Sequence, residues 1–324
     1  MNASAKKHDR YTPPVLLFNG HLETIYPALL RKAPSARYVR ERITTADDDF
    51  LDLDWIQNEH SRLVIISHGL EGDSHRPYVR GMAAVFARHD FDVLAWNYRG
   101  CSGEVNRQLR FYHSGAIDDL ARVIAHAGTR GYSKIYLVGF SLGGNLTLKY
   151  VGENPYAPIA GAVTFSVPLH LHSSCLQIGK RANWLYEQRF LRNLKKKVRA
   201  KAALHPELDV QGLDRVTTLF EFDDAYTAPL HGFAHAVDYY ERCSSLYVLK
   251  NILAPTLVVN AQNDPFLSPA CFPSQAEVGN RVVFEAPARG GHVGFAKFST
   301  DGVYWSEERA LAFCQNLWSE PKIN

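Results

Sequence analysis

Cysteine is scarce in this sequence and badly placed for cross-linking. There are 5, an odd number, and Cys101, Cys175, Cys243, Cys271 and Cys314 are widely spaced with no C-x-x-C pair. That excludes a disulfide framework and points to reduced thiols in a cytoplasmic protein. Net charge is nearly absent as well: 36 Lys and Arg face 33 Asp and Glu, leaving +3. So slight an excess makes no electrostatic case for nucleic acid as a partner. No run approaches the ~20 apolar residues of a membrane span. Met1 to Arg10 carries basic residues without the apolar segment of a secretory signal. The expectation is a soluble chain with residues 1–12 disordered. Internal repeats, low-complexity segments and an H-E-x-x-H motif are missing too. His170-x-His172 and His231-x-x-x-His235 are the nearest approaches to metal-ligand pairs. With no third ligand in view they read as surface and packing histidines, so no metal and no cofactor is expected.

What the chain does have is apolar residues in quantity. Over 324 residues it is 46% hydrophobic and 12% aromatic, enough for a substantial core. Leu63–Ile66, Phe91–Trp96, Lys134–Val138 and Ile159–Val167 are near-continuous apolar runs of strand length. Helical patterns at residues 78–89 and 117–127 separate them, and this alternation predicts a mostly parallel sheet with helices on both faces. Tyr38–Thr44 and the alternating Phe50–Trp55 read as two earlier strands around a turn at residues 46–49. Strand signals vanish between Pro168 and about Asn251, then resume at Thr256–Asn260 and Arg281–Glu285. The expected organisation is one domain over 1–324. Its core would be about 11–168 and 251–324, with a helical cap inserted at about 169–250.

Gly139-Phe140-Ser141-Leu142-Gly143 sits between an apolar strand and a helix start. That is the context a G-x-S-x-G nucleophile elbow requires: a sharp turn, crowded on either side, that presents the serine hydroxyl above the sheet. A serine hydroxyl is a weak nucleophile without a base, and the base needs a group to hold its tautomer. Asp264 follows the strand ending at Asn260, and His292 follows the last strand in a glycine-rich loop. Both lie past the carboxyl ends of their strands, where open α/β sheets place their sites. The order Ser141, Asp264, His292 is that of α/β-hydrolases. Asp301 and Glu285 are fallback acids, and Cys101 and Cys175 lack an elbow context. His68-Gly69-Leu70 directly follows a buried strand, so Leu70 and Leu142 are expected to offer the oxyanion-binding N–H groups. His68 reads as a loop-shaping residue, with Gly69, Gly139 and Gly143 as support.

The residues Asn19-Gly20-His21-Leu22-Glu23-Thr24, His68–Gly72, Asn97–Gly100, Gly139–Asn145, Phe222-Asp223-Asp224, Asp264-Pro265-Phe266 and Gly290–Phe295 occur in one order along nearly the whole chain. In this it resembles the YheT-like branch of the α/β-hydrolase superfamily, related to plant embryogenesis-associated proteins and to membrane-anchored, lipid-directed eukaryotic members. The resemblance implies a serine hydrolase core with a helical cap, and Ser141, Asp264 and His292 as its triad. Lacking an N-terminal membrane span, the chain is similar to the soluble bacterial type.

The expected function is hydrolysis of carboxylic esters, acyl or lipid-like, through an acyl-enzyme. Acyl transfer to an alcohol is the alternative within the fold, and a ligand-binding homologue without turnover is the alternative outside enzymology. Between Lys180 and Lys201 lie Lys180, Arg181, Arg189, Arg192, Lys195, Lys196, Lys197, Arg199 and Lys201, with Glu187 as the lone acid. Leu191, Leu194 and Val198 recur there at helical steps, predicting an amphipathic helix. Its cationic face is either solvated surface or a weak contact to an anionic membrane, tested by turning Lys195, Lys196 and Lys197 into glutamate.

Overall fold

The computed structural model describes residues 11–319, so most of the segment expected to be disordered lies outside the described residues. Eight strands form one sheet in the order β1-β2-β4-β3-β5-β6-β7-β8. They are β1 (Val39–Thr44), β2 (Phe50–Ile56), β3 (Arg62–Ser67), β4 (Asp92–Asn97), β5 (Lys134–Phe140), β6 (Ile159–Phe165), β7 (Thr256–Val259) and β8 (Val282–Glu285). Only the β1–β2 and β2–β4 pairings are antiparallel; the remaining pairings, from β4 through β3 to β8, are parallel.

The sheet is covered on both sides, which is why the interiors of its central strands are near-continuous apolar runs. On β3, Leu63 and Ile65 face one layer with α3 (Ile117–Gly128) and α4 (Leu142–Glu153). Val64 and Ile66 face the other, with α2 (Pro77–Ala87) and the C-terminal helix α10 (Trp305–Ser319). β2 departs from its alternating pattern. Asp52 and Asp54 are buried beside Leu51 and Leu53, because Arg42 and Arg40 from β1 pair with them and Ser74 and Asn97 donate to Asp54. The Asn97-Tyr98-Arg99-Gly100 stretch has a similar reason. Arg99, 2% exposed, pairs with Asp47, Asp49 and Asp119 and so ties the β1–β2 turn to α3.

The helix α1 (Gly20–Leu30) begins five residues before the expected Ile25, because the Asn19 side chain accepts from the Leu22 amide and caps it. Between β6 and β7 the chain is helical, with no strand among the described residues. It runs through α5 (Leu171–Ile178), α6 (Trp184–Ala202), α7 (Leu219–Phe222), a π-turn at Asp223–Thr227, α8 (Ala228–Leu230) and α9 (Ala236–Cys243). These elements share their own apolar cluster, in which Leu191, Leu194 and Val198 of α6 are buried.

The expected cationic face of α6 needs correction. Lys197 and Lys201 flank the apolar side and turn inward. Lys197 pairs with Glu71 at 2.6 Å. Lys201, fully buried, donates to the carbonyls of Asn106 and Gln108, and burial pushes its ammonium down to about 8. Glu187 is also internal and accepts from the Leu219 amide. No described helix is long and apolar enough to cross a membrane.

Candidate active site

β5 ends at Phe140 and α4 begins at Leu142, leaving Ser141 alone to make the turn. It does so at φ 53° and ψ −120°, a left-handed-side conformation that costs energy for any residue with a Cβ. The flanking glycines are demanded by space. A Cβ on Gly139 would sit 2.5 Å from the Gly143 carbonyl oxygen, and one on Gly143 2.4 Å from those of Ser67 and His68. The elbow thus packs directly onto the end of β3, where the His68–Gly72 loop begins.

The His292 loop brings the imidazole back over this turn. Nε2 lies 2.9 Å from Ser141 Oγ, and Nδ1 lies 2.8 Å from Asp264 Oδ2. With Nδ1–H donating to the carboxylate, Nε2 is free to accept the serine proton. Asp264 is held in turn: its side chain is fully buried, and Oδ1 accepts from the Phe266 amide at 2.9 Å. The three residues expected from sequence are therefore in one hydrogen-bonded line. Asp301 accepts from the Val303 amide in an exposed loop, and Glu285 pairs with Arg309; neither reaches His292.

Leu70 and Leu142 line one cavity with Ser141 and His292. Leu142 is the first residue of α4, so its N–H has no carbonyl one turn back to bind. The His68–Gly72 loop is rigidly fixed. His68 is buried, its Nδ1 donating to Gly69 O while Nε2 accepts from the Tyr98 amide. Burial pushes its pKa down to about 3, so it stays neutral and shapes the loop. The Gly69 amide donates to Tyr78 Oη, and the Glu71 amide to Tyr112 Oη. Glu71 then accepts from both Tyr112 and Lys197.

Two cavities meet at Ser141. The first opens outward between Ile25 and Leu29 of α1 and Tyr186, Arg189 and Phe190 of α6. The second runs beneath the helical segment, past Leu171, Phe190 and Leu219. It ends among Asp223, Tyr239 and Tyr240. Asp223 is half-buried, accepts from Tyr240 and Thr227, and is pushed up to about 6 by desolvation. The histidines of the paired motifs are engaged locally. His170 and His235 cap α5 and α9, His172 stacks on Tyr240, and His231 binds the Thr227 carbonyl.

Sequence reasoning left Glu23 and Thr24 without a task. Glu23 is fully buried and accepts from Asn263 Nδ2 at 2.7 Å, Arg289 Nε at 2.9 Å and the Gly290 amide at 2.9 Å. Thr24 Oγ1 accepts from the His292 amide at 2.9 Å, and Asn263 Oδ1 from the Gly291 amide. One turn of α1 thereby joins the loop carrying Asp264 to the loop carrying His292. Gly20 belongs to the same contact, since a Cβ there would meet the Asn263 carbonyl oxygen at 2.1 Å. The signal was the N-G-H-L-E-T stretch itself, which has more polar residues than a short surface helix needs.

The fold and its site define a class, and comparison with known proteins agrees. The model of the alpha/beta hydrolase fold matches residues 62–292, and the chain belongs to that family. YheT of Escherichia coli (strain K12), provisionally named an esterase, is 34% identical over 86% of this chain and 84% of its own length. A protein named phospholipase ABHD3, from Bos taurus, is 28% identical over 89% of this chain and 73% of its own. The solved esterase Pf2001 of Pyrococcus furiosus superposes with a TM-score of 0.58 at 16% identity, covering 88% of this chain and 98% of that one. At that identity the likeness concerns the fold. The chain is an enzyme of the ester-hydrolase kind.

Proposed function

We propose that this protein hydrolyses carboxylic esters of lipid-like acids through an acyl-enzyme on Ser141. The observation that carries the reading is the line Ser141–His292–Asp264, with spacings of 2.9 and 2.8 Å, at the junction of two cavities. Ser141 Oγ attacks the ester carbonyl while His292 Nε2 takes its proton. Charge on the carbonyl oxygen is met by the N–H groups of Leu70 and Leu142, a donor pair whose single loss typically costs ~3–4 kcal/mol of transition-state stabilisation. His292 returns the proton to the leaving alcohol, then activates water for deacylation. Asp264 holds the tautomer and stabilises the imidazolium. The cavity beneath the helical segment takes the acyl chain, and the one bordered by α1 the alcohol part. Names such as phospholipase among relatives support a lipid ester as substrate. A reducing compartment such as the cytoplasm suits the five free thiols.

Intact-mass analysis after fluorophosphonate treatment tests the mechanism. One adduct is expected, mapped to Ser141 and absent from Ser141→Ala protein. Product analysis with added alcohol distinguishes hydrolysis from acyl transfer, and free acid as the main product is the expected result. Labelling that persists in Ser141→Ala would contradict the assignment.

A further inference from the structure

The exposed side of α6 is organised differently from the cationic face read in the sequence. Leu185, Arg189, Arg192 and Lys196 are exposed at steps of three and four residues, so they form one stripe opposite Leu191, Leu194 and Val198. Arg199 at its far end is paired with Asp214. Among the described residues, Arg181, Arg189, Arg192 and Lys196 have no acidic partner. Three of these unpaired cations lie on α6, whose inward Lys197 and Lys201 are engaged, and Arg181 lies in the turn just before it, so they are a feature of the surface alone.

The stripe starts at the mouth of the outward cavity. Arg189 lines that mouth, and the helix opens on Trp184 and Leu185, 56% and 74% exposed. Across the opening stands α1, where Ile25 and Leu29 line the same cavity and Leu29 is 66% exposed. His21 of α1 stacks on Tyr186 of α6, which fixes the two helices side by side. Large exposed apolar side chains around an apolar opening, bordered by unpaired cations, are what an interfacial surface offers a bilayer: apolar groups enter the acyl boundary while cations meet anionic headgroups.

We propose that this rim, formed by Ile25 and Leu29 of α1 with Trp184, Leu185, Arg192 and Lys196 of α6, docks on an anionic lipid bilayer. The mouth leading to Ser141 would then face the membrane. The idea rests on the ester-hydrolase reading for its purpose, since a membrane-borne ester would enter without crossing water.

Trp184 is itself the probe. Full-length protein is mixed with phosphatidylglycerol or phosphatidylcholine vesicles, following tryptophan emission and co-sedimentation. With phosphatidylglycerol the emission shifts to the blue, the shift is lost in Trp184→Phe, and added salt weakens binding. The double variant Arg192→Glu and Lys196→Glu loses affinity at least ~20-fold, since each basic residue near an anionic surface counts for about a factor of five. Leu185→Ser loses ~10-fold or more. Turnover of a short water-soluble ester stays at wild-type level in all these variants. Equal sedimentation of wild type and the double variant, equal binding to phosphatidylcholine, or a blue shift surviving in Trp184→Phe would each overturn the surface. Docking by a wild type that turns over no ester would overturn the hydrolase reading and leave the surface standing.

Discussion

At the scale of residues, each side-chain polar atom of Ser141, His292 and Asp264 has a partner, and most of the contacts that hold their loops come from far along the chain. Glu23 reaches Asn263 and Gly290 across 240 and 267 positions. The meeting of Ser141, Asp264 and His292 was legible because each stands in a strict local setting: an elbow, an acid before proline, a histidine after the last strand. Glu23 was not, because a carboxylate acting through other residues leaves no spacing rule. It was visible only as part of a motif lacking a purpose. A change to Glu23→Gln keeps the shape but removes the charge that holds Arg289 and both loops. If it positions the triad, kcat falls by up to ~10²-fold, as small displacements of reacting groups do, while KM is nearly unchanged. Steady-state kinetics on a soluble ester read this out, with Thr24→Ser as a variant that keeps the hydroxyl and the rate. A lowered melting temperature with kcat intact would make Glu23 a structural residue only.

The strands and helices show where periodicity is a reliable guide and where it misleads. β3, β4, β5 and β6 are buried on both faces and announce themselves as apolar runs. β2 reads as half-exposed because Asp52 and Asp54 alternate with apolar residues, yet both aspartates are buried against arginines. Binary patterning cannot tell a solvated carboxylate from a paired one. The same limit applies to α6, where Lys197 counts as surface charge in the sequence and is an internal partner of Glu71 in the fold. Lys197 also donates to Cys101 Sγ at 3.1 Å, and burial pushes that thiol up to about 11. Truncation to Lys197→Ala leaves Glu71 buried without its cation, which typically costs ~3–5 kcal/mol. Because Glu71 adjoins Leu70, the loss should lower kcat as well as the unfolding midpoint in urea. Unchanged stability and rate would show that the pair holds nothing in place. Charge reversal at Lys195, Lys196 and Lys197 together would therefore confound surface and interior.

For the molecule as a whole, buried ionisable groups outside the triad set its response to acid. Burial pushes His68 down to about 3 and His231 to about 4, and lowers His113 as well. Their unfolded counterparts titrate near ~6.5, so between these values the unfolded chain binds more protons, and stability falls as pH drops. Asp223 acts with the opposite sign: pushed up to about 6, it favours the folded state towards acid and loses that contribution as pH rises through about 4 to 6. Asp119 and Glu307, also raised by burial, act as Asp223 does, and His170 acts as the other histidines do, so four lowered histidines face three raised carboxyls, each counting for up to ~1.4 kcal/mol per pH unit in its window. The melting temperature should fall steadily from pH 6.5 to 4, less steeply in His231→Gln and more steeply in Asp223→Asn; a flat profile would contradict the burial of these groups. The central claim is that Ser141, aligned by His292 and Asp264, is the nucleophile of an esterase, and kcat/KM for a short ester in wild type and Ser141→Ala tests it most directly. The account predicts a loss approaching ~10⁶-fold in a variant with an unchanged circular dichroism spectrum; a folded Ser141→Ala enzyme that turns over ester at the wild-type rate would contradict it.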